Sequence, residues 1–418
     1  MKKLILTILI LSIFEGFTNA QFFVTGEYRP RAEFRNGYKS LSVTDQEDAY
    51  FISQRTRLNI IFNNEYLRTK LTLQDIRTWG SEPQLAVTDG LSSIHEAWGE
   101  ILFNKEISLK IGRQEIIYDD QRIFGNVGWA QQARSHDIAL FKIEKSFKLH
   151  LGLAWNQDKE QLNTNFYTVA NYKSLQFVWF NKIFGRYSLS ALVLNNGIEN
   201  KVDNIRRINY SQTFGQRSVY ITDKFTGTLN FYIQTGKDAT HIDLFAYNAR
   251  IDLDYKISDN MKAIAGYELL SGNDMVNPDA SKNKSFTPLY GTNHKFNGWM
   301  DYFYVGNHAN NVGLQDVFFG LSLNHKKWNI QLHNHIFMAS APVKNPITLT
   351  KASGYLGDEI DITAKYNFTK DINFSVGYSH MLQSESMTFV KGMGDKNATN
   401  NWAWCMISIT PSFFNSSK

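Results

Sequence analysis

The sequence has a single cysteine, Cys405, and only 7 prolines among 418 residues. One cysteine excludes a framework of disulfide bonds. Beyond the N-terminus no apolar run of about 20 residues occurs, which excludes a transmembrane α-helix in the rest of the chain. The net charge of +5 is too small to indicate a nucleic-acid partner. Aromatic residues are abundant, at 14%, and fit either a soluble β-protein or the aromatic girdles of a membrane barrel.

The N-terminus has the three parts of a secretory signal peptide. Lys2 and Lys3 are positively charged, the 11 residues from Leu4 to Phe14 are apolar, and small residues precede Ala20. This pattern predicts a signal peptide over residues 1–20 with cleavage after Ala20. The mature chain, residues 21–418, is then exported across the inner membrane.

Apolar and polar side chains alternate along the mature chain. From Phe22 to Arg35, one parity is mainly apolar and the other carries nearly all of the charges. Successive side chains of a strand point to opposite faces, so this segment predicts a strand with one apolar and one charged face. The same period recurs in 18 segments. They span 22–35, 49–62, 65–77, 93–103, 106–117, 136–144, 147–157, 169–180, 186–195, 206–221, 225–236, 241–255, 261–271, 315–324, 327–339, 357–368, 371–383 and 401–414.

The links between these segments differ in length in a regular way. Links after even-numbered segments are short polar turns, such as Asn63-Asn64, whereas links after odd-numbered segments are long, except the one after Gly236. The long links are 36–48, 78–92, 118–135, 158–168, 196–205, 272–314, 340–356 and 384–400. Transmembrane barrels have short periplasmic turns and long extracellular loops. The sequence therefore predicts an all-β fold, a transmembrane antiparallel β-barrel of about 18 strands.

The apolar parity of each segment is predicted to face the lipid. Residues placed there include Leu109, Ile111, Leu229, Phe231, Ile362 and Ala364. The last segment ends in Phe413-Phe414, which resembles the aromatic-terminated sorting signal of outer-membrane barrels, although residues 415–418 follow it.

Two motifs in the chain resemble those of the alginate-export porin family. The first contains Gly112, Arg113, Gln114, Arg122, Gly128, Trp129, Arg134 and Asp137. The second contains Tyr290, Gly291, Asn293, His294, Asp301, Tyr302 and His308. The resemblance covers essentially the mature chain and implies an 18-stranded outer-membrane barrel. It also implies a pore that conducts a polyanion through an arginine-rich interior, although family membership alone does not identify alginate as the solute.

The charged parity is predicted to line the pore. Its basic residues on the first three segments are Arg29, Arg31, Arg35, Arg55, Arg57, Arg68 and Lys70. Its acidic residues include Glu27, Glu33, Glu96, Glu100, Asp252 and Asp254. A two-residue turn at Asn63-Asn64 would place Arg57 opposite Lys70, an unfavourable pair of like charges. Two interpretations follow: a basic track for an anionic solute, or a wet wall whose charges pair internally.

The sequence thus predicts a passive outer-membrane porin for an anionic saccharide or polysaccharide. A porin of broader specificity is the first alternative, and a barrel enzyme or adhesin that works through its loops is the second. No catalytic residues and no cofactor are expected, because no spacing marks an activated nucleophile. The expected partners are lipid and lipopolysaccharide of the outer membrane, the barrel-assembly machinery and an acidic saccharide, with no nucleic acid.

Two weaker metal hypotheses remain open at this stage. Asp119, Asp120 and Asp301 have the oxygen ligands that Ca²⁺ prefers, and such an ion would stiffen the loops. His333 and His335 share one face of a strand, as metal-binding pairs do, but polar residues facing a wet pore explain them better.

Overall fold

The computed structural model describes residues 20–163, 165–202 and 205–416. The predicted signal peptide lies outside the described residues except for Ala20. The strands are β1 (Gln21–Asn36), β2 (Ala49–Asn63), β3 (Leu67–Thr78), β4 (Ser92–Leu102), β5 (Ile107–Gln114), β6 (His136–Glu144), β7 (Lys148–Trp155), β8 (Ser174–Phe184), β9 (Tyr187–Val202), β10 (Ile205–Ile221), β11 (Phe225–Lys237), β12 (Asp243–Lys256), β13 (Met261–Leu270), β14 (Lys282–Asn283), β15 (Leu314–His325), β16 (Trp328–Met338), β17 (Tyr355–Asn367), β18 (Ile372–Gln383), β19 (Asn400–Ile409) and β20 (Ser412–Asn415). A helix, α1 (Glu385–Lys391), and a 3₁₀ turn (Asn293–Lys295) lie in loops. No helix among the described residues is long and apolar enough to cross a membrane.

The strands form one closed barrel. β1 pairs antiparallel with β2 on one edge and with β19 and β20 on the other. β19 and β20 are two parts of the last wall strand, interrupted near Pro411, which has no amide hydrogen to donate. The two-residue β14 belongs to a loop and pairs with β12. The wall therefore has 18 antiparallel strands, and the predicted barrel is confirmed, although β8 is shifted from its predicted bounds of 169–180.

The predicted long loop at 196–205 is wrong. β9 and β10 continue through this segment as a paired hairpin, up to the undescribed residues 203–204. On the outer face of the hairpin, Asn195 hydrogen-bonds to Gln176 and Gln212 at 2.8 Å each. Strand pairing requires only backbone groups, whereas apolar outward side chains are required only in contact with lipid. The alternation therefore ends before the strands do.

The turn between β2 and β3 is longer than the predicted two residues. The side chain of Asn64 accepts hydrogen bonds from the amides two and three residues later, at 2.9 and 2.7 Å, which is the local bonding that makes asparagine a turn residue. As a result Arg57 lies opposite Gln74 and not opposite Lys70. The predicted opposition of two like charges is wrong.

The outer and inner faces of the wall follow the predicted parity. Phe231 is 42% exposed on the outer face, whereas the neighbouring Asn230 is 0% exposed on the inner face. The other residues predicted to face lipid, Leu109, Ile111, Leu229, Ile362 and Ala364, are exposed or half-buried.

Aromatic side chains pair on the outer face near the short turns. The pairs there include Phe22 with Phe414, Trp328 with Tyr366, and Phe368 with Phe374. Such amphipathic or apolar rings suit the boundary between lipid and water. This end of the barrel, called the turn end below, therefore carries an aromatic girdle.

The apolar core lies inside the barrel. Loop residues such as Phe124 and Met300 are buried with inward side chains of the wall, including Phe177 and Trp402, and the partly buried Tyr290 packs against them. Most of these loop residues come from the β5–β6 loop (residues 115–135) and the β13–β15 loop (residues 271–313). The two loops enter from the end opposite the turns, called the loop end below.

Candidate functional site

The β5–β6 loop and the β13–β15 loop, which carry the two motifs, meet inside the barrel. The amide of Gly125 donates to the carbonyl of Tyr290 at 2.9 Å. The indole of Trp129 stacks on the ring of His294 with 4.7 Å between centroids. The two loops therefore form one layer across the lumen, and any solute must pass beside them.

Arginines of β1 and β2 hold the β5–β6 loop by its backbone carbonyls. Arg29 donates from Nη1 to the carbonyl of Gly128 at 2.8 Å. Arg31 donates from Nη1 to the carbonyl of Trp129, also at 2.8 Å. Arg55 reaches the next two carbonyls at 3.4 and 3.3 Å. A guanidinium has five N–H donors in a fixed plane. The three arginines of β1 and β2 can therefore hydrogen-bond to four consecutive carbonyl groups of the loop.

Carboxylates of β13 and β17 hold the β13–β15 loop by its N–H groups. The amide of Met300 donates to Glu359 at 2.7 Å, and the side chain of Asn297 donates to Glu268 at 2.9 Å. Between them Gly298 has φ +82°, and a Cβ there would lie 2.5 Å from Glu359. The close approach of this backbone to the wall therefore requires glycine.

Buried ion pairs join the β5–β6 loop to this acidic side. Arg122 lies 2.8 Å from Glu268, which also pairs with Arg250 at 2.9 Å. Burial lowers the pKa of Arg122 from its ordinary value. Removing one partner of such a pair leaves the other charge buried without compensation, so these contacts fix the position of the loop.

The seven predicted basic residues of the wall all lie within 4.0 Å of a carboxylate. Glu27 is shared by Arg29, Arg55 and Arg57; Glu33 by Arg31 and Arg35; Glu100 contacts Arg68 and Glu96 contacts Lys70. The remaining predicted acids pair as Asp252 with Arg250 and Asp254 with Lys262. The wall charges thus pair internally to a large extent, while the role of these residues as a basic track stays a prediction.

Asn230 lies on the inward parity of β11 but does not face water. Its amide donates to Asp120 of the β5–β6 loop, and its side chain is wholly buried. Arg250 lies opposite it on the neighbouring strand. A lumen-facing position is therefore covered by a loop that is remote in sequence.

The motif residues of β5 and β6 have structural contacts. Gly112 has φ +123°, and a Cβ there would overlap the carbonyl of Ala97. Arg113 pairs with Asp137 across the two strands at 2.9 Å, and the buried Gln114 donates to backbone carbonyls. These residues shape the wall where the β5–β6 loop leaves it.

The second motif contains a buried carboxylate with two donors. Asp301 accepts hydrogen bonds from Tyr38 at 2.7 Å and contacts His294 at 2.9 Å. Burial acts to raise the pKa of Asp301, but the attraction of His294 and these hydrogen bonds hold it below its ordinary value. Tyr302 donates to a backbone carbonyl just after β1, and His308 contacts the carbonyl of Gly313 at 3.0 Å.

A cavity of about 610 Å³ lies at the loop end between β1–β3 and the two loops; we call it the basic cavity. Its charged lining residues are Arg31, Arg35, Lys39, Arg77, Arg134, Glu33 and Asp301. Arg134 donates to the carbonyl of Gly291 at 3.1 Å. Within the described part of the chain, no carboxylate lies within 4.0 Å of Arg134, whose pKa burial lowers. Five basic and two acidic side chains line this cavity, and Arg77 is also paired with Asp75 at 2.5 Å and with Asp89 at 3.2 Å. Arg134 is therefore the lining cation that leaves the cavity electropositive.

A second cavity, of about 980 Å³, lies on the other side of Arg134 and Val305, which line both. Asparagine, glutamine, serine, threonine and tyrosine side chains dominate its lining; we call it the amide cavity. The two inward loops thus divide the mouth of the barrel into compartments of different chemistry.

Sequence reasoning missed four charged residues that the structure brings to the interior. Glu268 and Asp316 lie on the inward parity of β13 and β15, so the alternation contained the signal for both. Lys39 lies in a loop, where alternation gives no assignment. Arg77, near the end of β3, shares the parity of the exposed Leu73, so alternation assigns it to the outer face.

The residues proposed for a calcium site have separate partners. Asp119 accepts from Trp179 and Ser190, whereas Asp301 contacts Tyr38 and His294. Among the described residues no group of three or more His, Cys, Asp or Glu side chains is arranged to hold a metal ion.

The comparisons with known proteins agree with this architecture. The alginate-export family model matches residues 21–388, and no curated protein matches the sequence. The chain is similar in structure to OccK9 (OpdG) of Pseudomonas aeruginosa, with a TM-score of 0.65 and 11% identity over 94% of this chain and 99% of that one. It is also similar to P. aeruginosa OpdK solved with vanillate (TM-score 0.60, 10% identity, 94% and 99% covered) and to a BenF-like porin of P. fluorescens Pf-5 (0.61, 11%, 95% and 99%).

At these identities the solved structures establish the fold, and the family match establishes the relationship. That match extends from the first residue of β1 to the middle of α1. The members of this family are transport channels and not enzymes. A barrel with two loops folded into its lumen agrees with that role. The chain belongs to the alginate-export family of outer-membrane channels.

Proposed function

We propose that the protein is a passive channel for an anionic saccharide or polysaccharide. The observation that carries this proposal is the basic cavity at the loop end, with five basic and two acidic lining side chains. Arg134 contributes most clearly, because it has no carboxylate partner among the described residues. A partly enclosed cavity of one charge sign concentrates ions of the other sign.

Arginine suits a carboxylated sugar for a geometric reason. Its planar guanidinium can donate two parallel hydrogen bonds to one carboxylate. Arg35, whose side chain is 31% exposed, and Lys39 lie at the accessible side of the cavity.

A channel of broader specificity is the alternative, and the internal pairing of the wall charges favours it. Paired charges present a smaller net field to a solute than free ones. Two unit charges 4 Å apart interact by about 4 kcal/mol at an effective dielectric of 20 and about 1 kcal/mol in bulk water. The choice between the proposals therefore depends on how strongly the basic cavity acts on passing ions.

Planar-bilayer recordings test the proposal with the double variant Arg35→Gln/Lys39→Gln. Neither side chain anchors the β5–β6 loop, so the barrel should keep its shape. We expect a lower anion-over-cation permeability ratio, and weaker block by oligogalacturonates than in the unmodified channel, with little change in block by malto-oligosaccharides. Both effects should shrink in high salt, because the screening length is about 8–10 Å near physiological ionic strength.

The matched control is Lys326→Gln/Lys327→Gln, which removes the same charge from a turn at the opposite end. It should leave selectivity nearly unchanged. If the loop-end variant also leaves the reversal potential and the oligogalacturonate block unchanged, the broader-specificity alternative replaces the proposal.

We also propose the route by which the chain reaches the membrane. A signal peptide cleaved after Ala20 would deliver it to the periplasm, where the barrel-assembly machinery inserts it, with lipopolysaccharide around its loop end. N-terminal sequencing of the purified protein should start at Gln21. Boiled and unboiled samples from the outer-membrane fraction should migrate differently on a gel, and recovery from the soluble periplasm would contradict the proposal.

A further inference from the structure

The amide cavity has a chemistry distinct from that of the basic cavity. Seven asparagine and glutamine side chains line it, together with serine, threonine and tyrosine. Amides offer both donors and acceptors, as the hydroxyl groups of a sugar do. Its volume of about 980 Å³ lies at the upper end of the range of small-molecule sites, which is room for several sugar rings.

Most formal charges around the amide cavity are neutralised by neighbours. Glu199 contacts Arg206, whereas Asp238 has no cation within 4.0 Å in the described part of the chain and accepts hydrogen bonds from Thr240 and Asn283. Arg113 pairs with Asp137 at 2.9 Å and Lys237 pairs with Asp243 at 2.6 Å. The remaining cation, Arg134, stands at the boundary with the basic cavity. The body of the amide cavity therefore offers hydrogen bonds without a strong preference for charge.

One buried side chain presents a free donor to this cavity. Asn196 of β9 lines it and is 3% exposed. The hydroxyl of Tyr290 donates to Asn196 Oδ1 at 2.6 Å, which fixes the orientation of the amide. Asn196 Nδ2 has no hydrogen bond within the described structure and is not among its wholly enclosed unpartnered atoms. This nitrogen therefore has a fixed position and is free to donate a hydrogen bond to a ligand.

Aromatic rings lie beside that donor. Tyr172 and Tyr290 line the cavity with their rings at 78° and 5.4 Å between centroids, and Tyr167 lines it from the β7–β8 loop. Tyrosine provides an apolar surface with a polar tip, which matches a sugar ring with its C–H faces and peripheral hydroxyls.

We propose that the amide cavity is a binding site for an uncharged, hydroxyl-rich stretch of saccharide. The inference rests on the proposed function in one respect: a carboxylated part of the same solute would lie across Arg134 in the basic cavity. The solute class is then a saccharide that carries both neutral and acidic portions, and neutral oligosaccharides alone should also bind.

The test is the block of single-channel current by maltohexaose added from the loop end. The variant is Asn196→Leu, and the matched control is Asn195→Leu, the same change one residue away on the outer face of β9. We expect maltohexaose to block the unmodified channel, Asn196→Leu to weaken this block about 3- to 10-fold, as for the loss of one net hydrogen bond, and Asn195→Leu to leave it unchanged.

Asn196→Asp guards against a folding defect in the leucine variant. It keeps an acceptor for Tyr290 and replaces the Nδ2 donor by a carboxylate oxygen, which cannot donate a hydrogen bond, so it should also weaken the maltohexaose block. Absence of block in the unmodified channel, or equal block in both Asn196 variants and the control, overturns the inference. The anion selectivity of the Arg35→Gln/Lys39→Gln variant tests the proposed function, whereas the maltohexaose block of the Asn196 variants tests this site. The two results are independent, so failure of one proposal can be distinguished from failure of the other.

Discussion

The arginines of β1 divide into those that hold a loop and those that face the solute. Arg29 is 8% exposed and supplies hydrogen bonds to the carbonyl of Gly128 and to the side chain of Gln131, at 2.8 to 3.1 Å. The carbonyl of Trp129 also lies 3.2 Å from Arg29 but keeps its bond to Arg31. Arg29→Met therefore leaves two oxygen atoms without a donor.

Each buried oxygen left without a donor costs about 1–3 kcal/mol. Two of them give roughly 2–6 kcal/mol, and water entering from the basic cavity reduces this to about 2–4 kcal/mol. Since every 1.4 kcal/mol is a factor of ten, the unseated fraction of the β5–β6 loop should rise roughly 30- to 700-fold. An unseated loop widens the passage.

Single-channel recording measures this directly. We expect Arg29→Met to show openings of larger conductance and more current noise. The control is Arg35→Met on the same strand and face, because Arg35 contacts Glu33 and the rings of Tyr38 and Phe51 but not the loop. It should lower anion selectivity without larger openings. Identical conductance for Arg29→Met and the unmodified channel would refute the loop-anchoring role.

Two further predictions concern the wall and α1. Phe231 lies at the middle of the 13-residue β11, so Phe231→Arg should destabilise the folded barrel in vesicles by about 2–4 kcal/mol. Phe225→Arg, at the turn end of the same strand, should destabilise it by only about 0–1 kcal/mol. Denaturant titrations measure both values, and equal values would show that the assigned depths are wrong. Lys391 at the end of α1 donates to the carbonyls of Tyr302 and Asn307 in the β13–β15 loop, and burial there lowers its pKa to about 7. When α1 is detached from this loop, Lys391 binds its proton more tightly. The contact between α1 and the loop should therefore strengthen as pH rises from about 7 toward about 10. Hydrogen-exchange protection of residues 300–308, corrected for intrinsic rates, should rise with pH over that window, and a flat profile contradicts it.

The wall was predictable because lipid imposes a rule on every strand. Outward side chains must be apolar and backbone groups must be paired, so a period of two marks each crossing. The rule ends where lipid ends. Asn195 on the outer face of β9 carries no apolar signal, although its strand continues in regular pairing. For this reason the sequence predicts a loop at 196–205, where the structure has the extended β9–β10 hairpin.

The interior was less predictable because its contacts join residues far apart in sequence. Asn230 and Arg29 both lie on the inward parity, yet the β5–β6 loop covers them. Alternation identifies the inner face but does not distinguish a wet position from one under a loop. The motif residues Arg134 and His294 were found through the family resemblance, whereas their meeting at one cavity follows only from the fold.

The manner in which the two inward loops are held has a consequence for how such a channel can diversify. Arg29 and Arg31 donate hydrogen bonds to carbonyl oxygens of one loop, and Glu359 accepts a hydrogen bond from an amide of the other. These groups belong to the backbone and are present whatever the side chain. Loop side chains that line the cavities without holding a loop, such as Val305, can therefore be exchanged while the loops stay in place, so solute preference can change without a change in the barrel wall.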